Sequence, residues 1–72
     1  MKFYSVFDEQ THQHLATGKN SSTRKECIVA AHSYLTSSDE WEGFDFSGYT
    51  LDEKESMCAE YGLVVDEHEY PI

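Results

Sequence analysis

The pattern of hydrophobic and polar residues at the start of the chain predicts a β-hairpin. Residues 2–8 are rich in aromatic and β-branched side chains, as expected of a strand. The polar run 9–13 indicates a turn, and residues 14–17 follow as a second, shorter strand that ends at Gly18.

The first strand is apolar on both of its faces. Because side chains alternate along a strand, Phe3 and Phe7 lie on one face, and Tyr4 and Val6 lie on the other. Such a strand is best placed in the centre of a sheet, with the second and third strands beside it.

The spacing of apolar residues downstream predicts helix 1 over about 23–36. Thr23 and Glu26 have the T-x-x-E spacing with which the two side chains cap the first turn reciprocally, and Ser22 is a competing cap. Apolar residues recur at steps of three and four and form the expected buried stripe: Cys27, Ile28, Ala31, Tyr34 and Leu35.

A second T-x-x-E pair, Thr50 and Glu53, predicts helix 2 over about 51–61. Gly62 follows as a left-handed C-terminal cap. Residues 63–70 begin with three β-favouring residues and predict a third strand with an acidic end. The expected buried residues of helix 2 are Leu51, Met57, Cys58 and Tyr61.

These elements predict one small α+β domain over residues 1–72, in the order β-β-α-α-β. The three strands form an antiparallel-type sheet, and the two helices pack on one face of it. Pairing of strand 3 with strand 2, or an exposed C-terminal tail, is the alternative. The hairpin-to-helix start resembles that of many small bacterial and phage proteins, a resemblance that implies a fold and no activity.

Two helices cover only one face of a three-stranded sheet, so one of the two apolar pairs of strand 1, each with at least one aromatic ring, must point outwards. The pair is either Phe3 with Phe7 or Tyr4 with Val6. An uncovered aromatic face is a candidate interface, including one between two copies of the chain. The alternative is that the loop 38–49 folds across this face.

The segment 38–48 mixes acidic and aromatic residues, and a short helical turn is expected around 39–42. Trp41, Phe44 and Phe46 either plug the edge of a small core or form an exposed patch that docks a partner. The second interpretation makes these three rings candidate interface residues.

The formal net charge is −9, and residues 39–72 hold eleven acidic residues against the single cation Lys54. This field repels phosphate backbones, so direct nucleic-acid binding is not expected, and it attracts a basic protein. The sequence also suggests an acidic decoy that imitates nucleic acid. The candidate acidic surface consists of Asp39, Glu40, Glu42, Asp45, Asp66, Glu67 and Glu69.

Arg24 and Lys25 stand at the start of helix 1, where positive charge opposes the helix dipole. Pairing with the acidic C-terminal half is the expected compensation. A phosphate-seeking patch with Lys19 is the alternative.

The sequence carries no nucleotide-binding, hydrolase or EF-hand motif, so neither an enzymatic activity nor a cofactor is expected. His12 and His14 form an H-x-H pair that, with an acid from elsewhere, is a weak candidate for a metal site; no metal is assigned. A nucleophilic pair of Cys58 with His68 is disfavoured, because its acidic surroundings raise the pKa of a thiol.

The two cysteines and the absence of an apolar N-terminal run favour reduced thiols in the cytoplasm, with no membrane segment. The resulting expectation is a small non-enzymatic interaction module whose partner is another protein or a second copy in a homodimer. The alternatives are the acidic decoy and weak divalent-metal binding.

Overall fold

The computed structural model describes all 72 residues and confirms the α+β order β-β-α-α-β. Neither helix combines the length and the apolarity that crossing a bilayer requires. The elements are β1 (Phe3–Asp8), β2 (Gln13–His14), α1 (Arg24–Leu35), a 3₁₀ turn at Asp39–Trp41, α2 (Leu51–Glu60) and β3 (Leu63–His68).

The sheet has the antiparallel order β2-β1-β3, with β1 in the centre as predicted. β3 pairs with β1 along its whole length, from Phe3 opposite His68 to Asp8 opposite Leu63. The alternative placements of strand 3 are therefore wrong.

β2 is shorter than the predicted strand 14–17, because the chain leaves the sheet soon after His14. It then turns at Gly18, whose φ of +71° favours glycine. A Cβ atom on Gly18 would lie 3.0 Å from the Cβ of Ala30, so the loop passes close to α1. An isolated bridge between Tyr4 and Ser21 returns the chain to the edge of β1.

The helix caps follow the sequence signals closely. Thr50 and Glu53 form the complete capping box at the start of α2. At α1 only half of the predicted box forms: the Thr23 side chain accepts from the backbone of Glu26, but the Glu26 carboxylate accepts from Ser22 instead.

One ion pair ties the two helices together. The guanidinium of Arg24 donates to both carboxylate oxygens of Glu55 on α2. This confirms the predicted pairing with the acidic half for Arg24, and it offsets the unfavourable position of Arg24 at a helix N-terminus, whereas Lys25 forms no ion pair.

The core is small, and only eight of the 72 residues are buried. Helical phase decides which side chains of α1 take part: the buried stripe runs through Cys27, Ile28, Ala31 and His32. This stripe leaves Tyr34 52% exposed, against the prediction. Tyr61, also predicted to be buried, lies just after α2 and is 44% exposed. The central cluster consists of Val6, Cys27, Ala31, Cys58 and Leu63.

Candidate functional site

The back face of the sheet, meaning the surface away from the two helices, carries one of the predicted aromatic pairs. Val6 is buried against the helices with Tyr4 beside it, so Phe3 and Phe7 point to the back face. Both rings are half-buried. Phe3 stacks on His68 with ring centroids 6.0 Å apart.

The histidines of the hairpin surround the ring of Phe7 without forming a metal site. Their rings meet it edge-on, at 5.3 Å for His14 and 6.4 Å for His12. His14 Nε2 lies 3.0 Å from a carboxylate oxygen of Asp66, which brings together one histidine and one acid. No group of three or more His, Cys, Asp or Glu side chains is arranged to hold a metal.

A second polar network on the back face was not foreseen from the sequence. Ser5 is fully buried, and its hydroxyl lies 2.9 Å from His68 Nε2. His68 Nδ1 lies 2.6 Å from the carbonyl of Tyr70 and must donate to it, so in the neutral ring Nε2 is left to accept from Ser5. The backbone N–H of Asn20 donates to the Ser5 oxygen at 3.0 Å. This resembles a nucleophile and its base, but Ser5 has no exposed surface for a substrate.

The network instead fastens the C-terminal residues to the sheet. The Asn20 side chain donates to the carbonyl of Ile72 and accepts from its N–H, at 3.2 and 2.9 Å. Ser5, His68 and Asn20 thus connect β1, the end of β3 and the loop before α1. The only indication of this network in the sequence is Ser5, a polar residue among the aromatic residues of a central strand.

Replacement of Ser5 by alanine is expected to lower the free energy of unfolding by about 1 kcal/mol. The loss stays modest because Asn20 and His68 are half-buried and water reaches the freed groups. Urea denaturation followed by circular dichroism measures it. Ser33→Ala, at an exposed position of α1 without a side-chain hydrogen bond, is the matched control and should not destabilise. Equal stability of both variants would show that the hydrogen bonds of Ser5 contribute nothing to the free energy of unfolding.

The two cysteines are buried free thiols. Burial raises the pKa of Cys27, and burial together with Glu55 and Cys27 raises the pKa of Cys58 to about 11. Cys58 belongs to the core on the helix side, whereas His68 lies on the back face. The structure therefore does not bring the Cys58 and His68 pair together.

The aromatic residues of the loop 38–49 form a cluster on the helix side of the molecule. Trp41 meets Tyr61 with ring centroids 5.7 Å apart, and Phe46 meets His32 at 4.9 Å. Phe44 is 63% exposed, while Trp41 and Phe46 are half-buried. The rings of this loop pair with rings at α1 and α2, and those of Phe3 and Phe7 pair only with histidines.

Next to this cluster lies an open groove of about 490 Å³, here named the aromatic–acidic groove. One side is the outer surface of α2, and the other side is formed by rings from the loop and from the residue after the helix. Its lining residues are Trp41, Tyr49, Asp52, Glu53, Ser56, Met57, Glu60 and Tyr61.

The carboxylates of the groove form no ion pair, although the charge of Arg24 also acts on Asp52. The ion pairs of the structure join Lys2 to Glu67 and Arg24 to Glu55, the carboxylate of Asp66 is hydrogen-bonded to His14, and none of these contacts involves the groove. Glu53 accepts a backbone hydrogen bond in its capping box, whereas Asp52 and Glu60 make no hydrogen bond through their side chains. Three rings and three acids therefore line one open concavity.

The acidic residues singled out from the sequence lie in separate places. Asp66 is on the back face with His14, and Glu67 binds Lys2 and Tyr4 on the opposite face of β3. Glu69 lines a hollow of about 300 Å³ beside the N-terminus. The exposed acids of the aromatic loop are Asp39, Glu40, Glu42 and Asp45. Hydrogen bonds from Ser47 lower the pKa of Asp45.

A further hollow of about 670 Å³ runs along the exposed side of α1, but no ring lines it. The aromatic–acidic groove is thus the concave surface with the most distinctive chemistry. Comparisons with protein-family models, with curated proteins and with solved structures gave no match to this chain.

Proposed function

We propose that this chain is a small non-enzymatic interaction module that binds a basic segment of a partner protein in its aromatic–acidic groove. The observation that carries the proposal is the groove itself, which is lined by three rings and by three carboxylates that form no ion pair within the chain. Aromatic rings supply contact area at a small entropic cost, and unpaired acids supply attraction for positive charge.

The charge of the surrounding surface supports the same partner class. Residues 39–60 hold eight acidic residues and one lysine, so the field around the groove is strongly negative. Such a field accelerates encounter with a basic segment and repels nucleic acid. A basic protein segment is therefore the complementary partner.

A non-catalytic role is supported by the burial and the pKa of the side chains that could act as nucleophiles. The Ser5 hydroxyl is fully buried, and the raised pKa of Cys58 keeps it a thiol at neutral pH. Two free buried thiols also suit a reducing compartment, and we therefore propose that the protein works in the cytoplasm.

The geometry favours this local groove over the acidic decoy. A nucleic-acid imitation needs carboxylates arrayed along one surface, but Asp66 and Glu67 point to opposite faces of β3. Both also have partners within the chain. Lys2 partly neutralises the charge of Glu67, and the loop and α2 remain as the acidic surface.

Titration of the isotope-labelled protein with a short synthetic peptide of mixed lysine and arginine tests the proposal by NMR. Shift changes are expected to concentrate in residues 41–61 and to weaken with salt. The double variant Asp52→Asn/Glu60→Gln should bind about three- to tenfold more weakly. The control Glu26→Gln/Glu69→Gln removes the same charge from exposed side chains that do not line the groove and should bind like the parent.

Equal losses in the two double variants would overturn the groove and favour a diffuse acidic decoy. No binding at all, together with a solution mass of two chains in sedimentation, would also overturn it. Shift changes on dilution at Phe3 and Phe7 would then assign the docking role to self-association through the back face.

A further inference from the structure

The end of α2 places an acidic residue where a helix favours a cation. The carbonyl groups of a helix C-terminus carry partial negative charge, yet the last residue of α2 is Glu60, and its last turn has no basic residue. No lysine or arginine of the chain pairs with this carboxylate. The Glu60 carboxylate and the carbonyl groups of the helix end repel each other. A cation from another molecule that binds at this place removes the repulsion.

Two aromatic rings stand beside the same helix end. Trp41 and Tyr61 meet at an interplanar angle of 77°, with ring centroids 5.7 Å apart, so their planes form a corner of the groove. The faces of such rings attract cations through their quadrupoles. Trp41 also meets Phe44 and Phe46, whereas the ring of Tyr61 is 44% exposed. Glu60, the end of the helix dipole and the exposed ring of Tyr61 therefore all favour a positive charge at one place.

We propose that this corner binds an arginine side chain of the partner, a deepening that rests on the proposed function. A guanidinium is planar, so it stacks on a ring with one face while its N–H edge donates two hydrogen bonds to a carboxylate such as Glu60. Lysine is a strongly hydrated point charge that does not stack. The groove is open to solvent, and this suits a flat group more than a trimethylammonium, which needs enclosure by rings and donates no hydrogen bond.

Trp41 is the only tryptophan of the chain and reports binding by its fluorescence. The experiment compares peptides of one sequence that carry arginine, lysine, trimethyllysine or the neutral isostere citrulline. The arginine peptide is expected to bind about two- to fivefold more tightly than the lysine peptide. The citrulline peptide should give no saturable change.

Two variants connect this preference to the corner. Tyr61→Leu should keep weak binding of both basic peptides but lose the preference for arginine. Tyr34→Leu removes an exposed ring on α1, away from the groove, and should leave the preference intact. Glu60→Gln should weaken both basic peptides, with the greater loss for arginine.

The outcomes separate this inference from the proposed function. Equal binding of the arginine and lysine peptides, still mapped to residues 41–61, would overturn the arginine corner and keep the groove. Tightest binding of the trimethyllysine peptide would overturn it in favour of an aromatic cage. Absence of binding by every peptide would overturn both proposals.

Discussion

Replacement of Ile28 by alanine is expected to lower the free energy of unfolding by about 2 to 5 kcal/mol. Ile28 is the largest fully buried side chain of the molecule, and only eight residues are buried in all. A domain of this size has a net stability of only a few kcal/mol, so the loss of one core side chain removes most of it. Urea denaturation followed by circular dichroism measures the change.

The neighbouring residue provides the control. Val29 is on the same helix but exposed, and its replacement by alanine removes a β-branched residue from a helical surface. Because alanine has the higher helix propensity, Val29→Ala should be neutral or slightly stabilising. A similar loss for Val29→Ala and Ile28→Ala would contradict the phase of α1 described here.

Local signals explain why the elements were predictable from the sequence. Thr50 and Glu53 lie three residues apart and cap α2 with groups that belong to the helix itself. Gly62 ends the same helix with a φ of +81°. β1 is apolar on both faces, so the sequence predicts a central strand whichever face the helices cover. None of these inferences needed a distant contact.

Tertiary packing decided what the sequence left open. Val6 and Phe7 are both apolar, and only the position of the helices selects Val6 for the core and Phe7 for the back face. His32 shows the same limit: it lies four residues after Ile28, in the spacing of a buried stripe, but histidine is not a clear hydrophobic signal. Its burial was therefore missed.

The candidate site was predictable only in part. Trp41 was singled out because a loop so rich in aromatic residues is unusual, and it does line the groove. The other side of the groove is the outer face of α2, and acids in the first turn of a helix are ordinary because they suit the helix dipole, so they do not signal a site. Glu60 and Tyr61 become neighbours of Trp41 only because the loop folds back along α2, a contact with no local signature.

Replacement of His32 by leucine is expected to raise the free energy of unfolding by about 1 to 2 kcal/mol at pH 7. His32 is only 5% exposed, and its buried Nε2 has no hydrogen-bond partner. Its ring packs against Phe46 and lies near Tyr49. Leucine has a similar volume, fits among these rings and leaves no polar atom unsatisfied. Urea denaturation of the two proteins measures the difference, and a destabilised variant would contradict the unsatisfied state of His32.

The same pair of proteins tests the pH dependence. Burial, assisted by the charge of Lys54, lowers the pKa of His32 from its ordinary value of 6.5. As the pH falls below that value, the unfolded chain binds a proton before the folded chain does, so the parent loses stability. The loss is complete once the pH passes below the folded pKa. The stability advantage of His32→Leu should therefore grow between pH 7 and pH 5, since carboxylates common to both proteins cancel in the difference. Parallel stability curves would show that His32 protonates alike in both states.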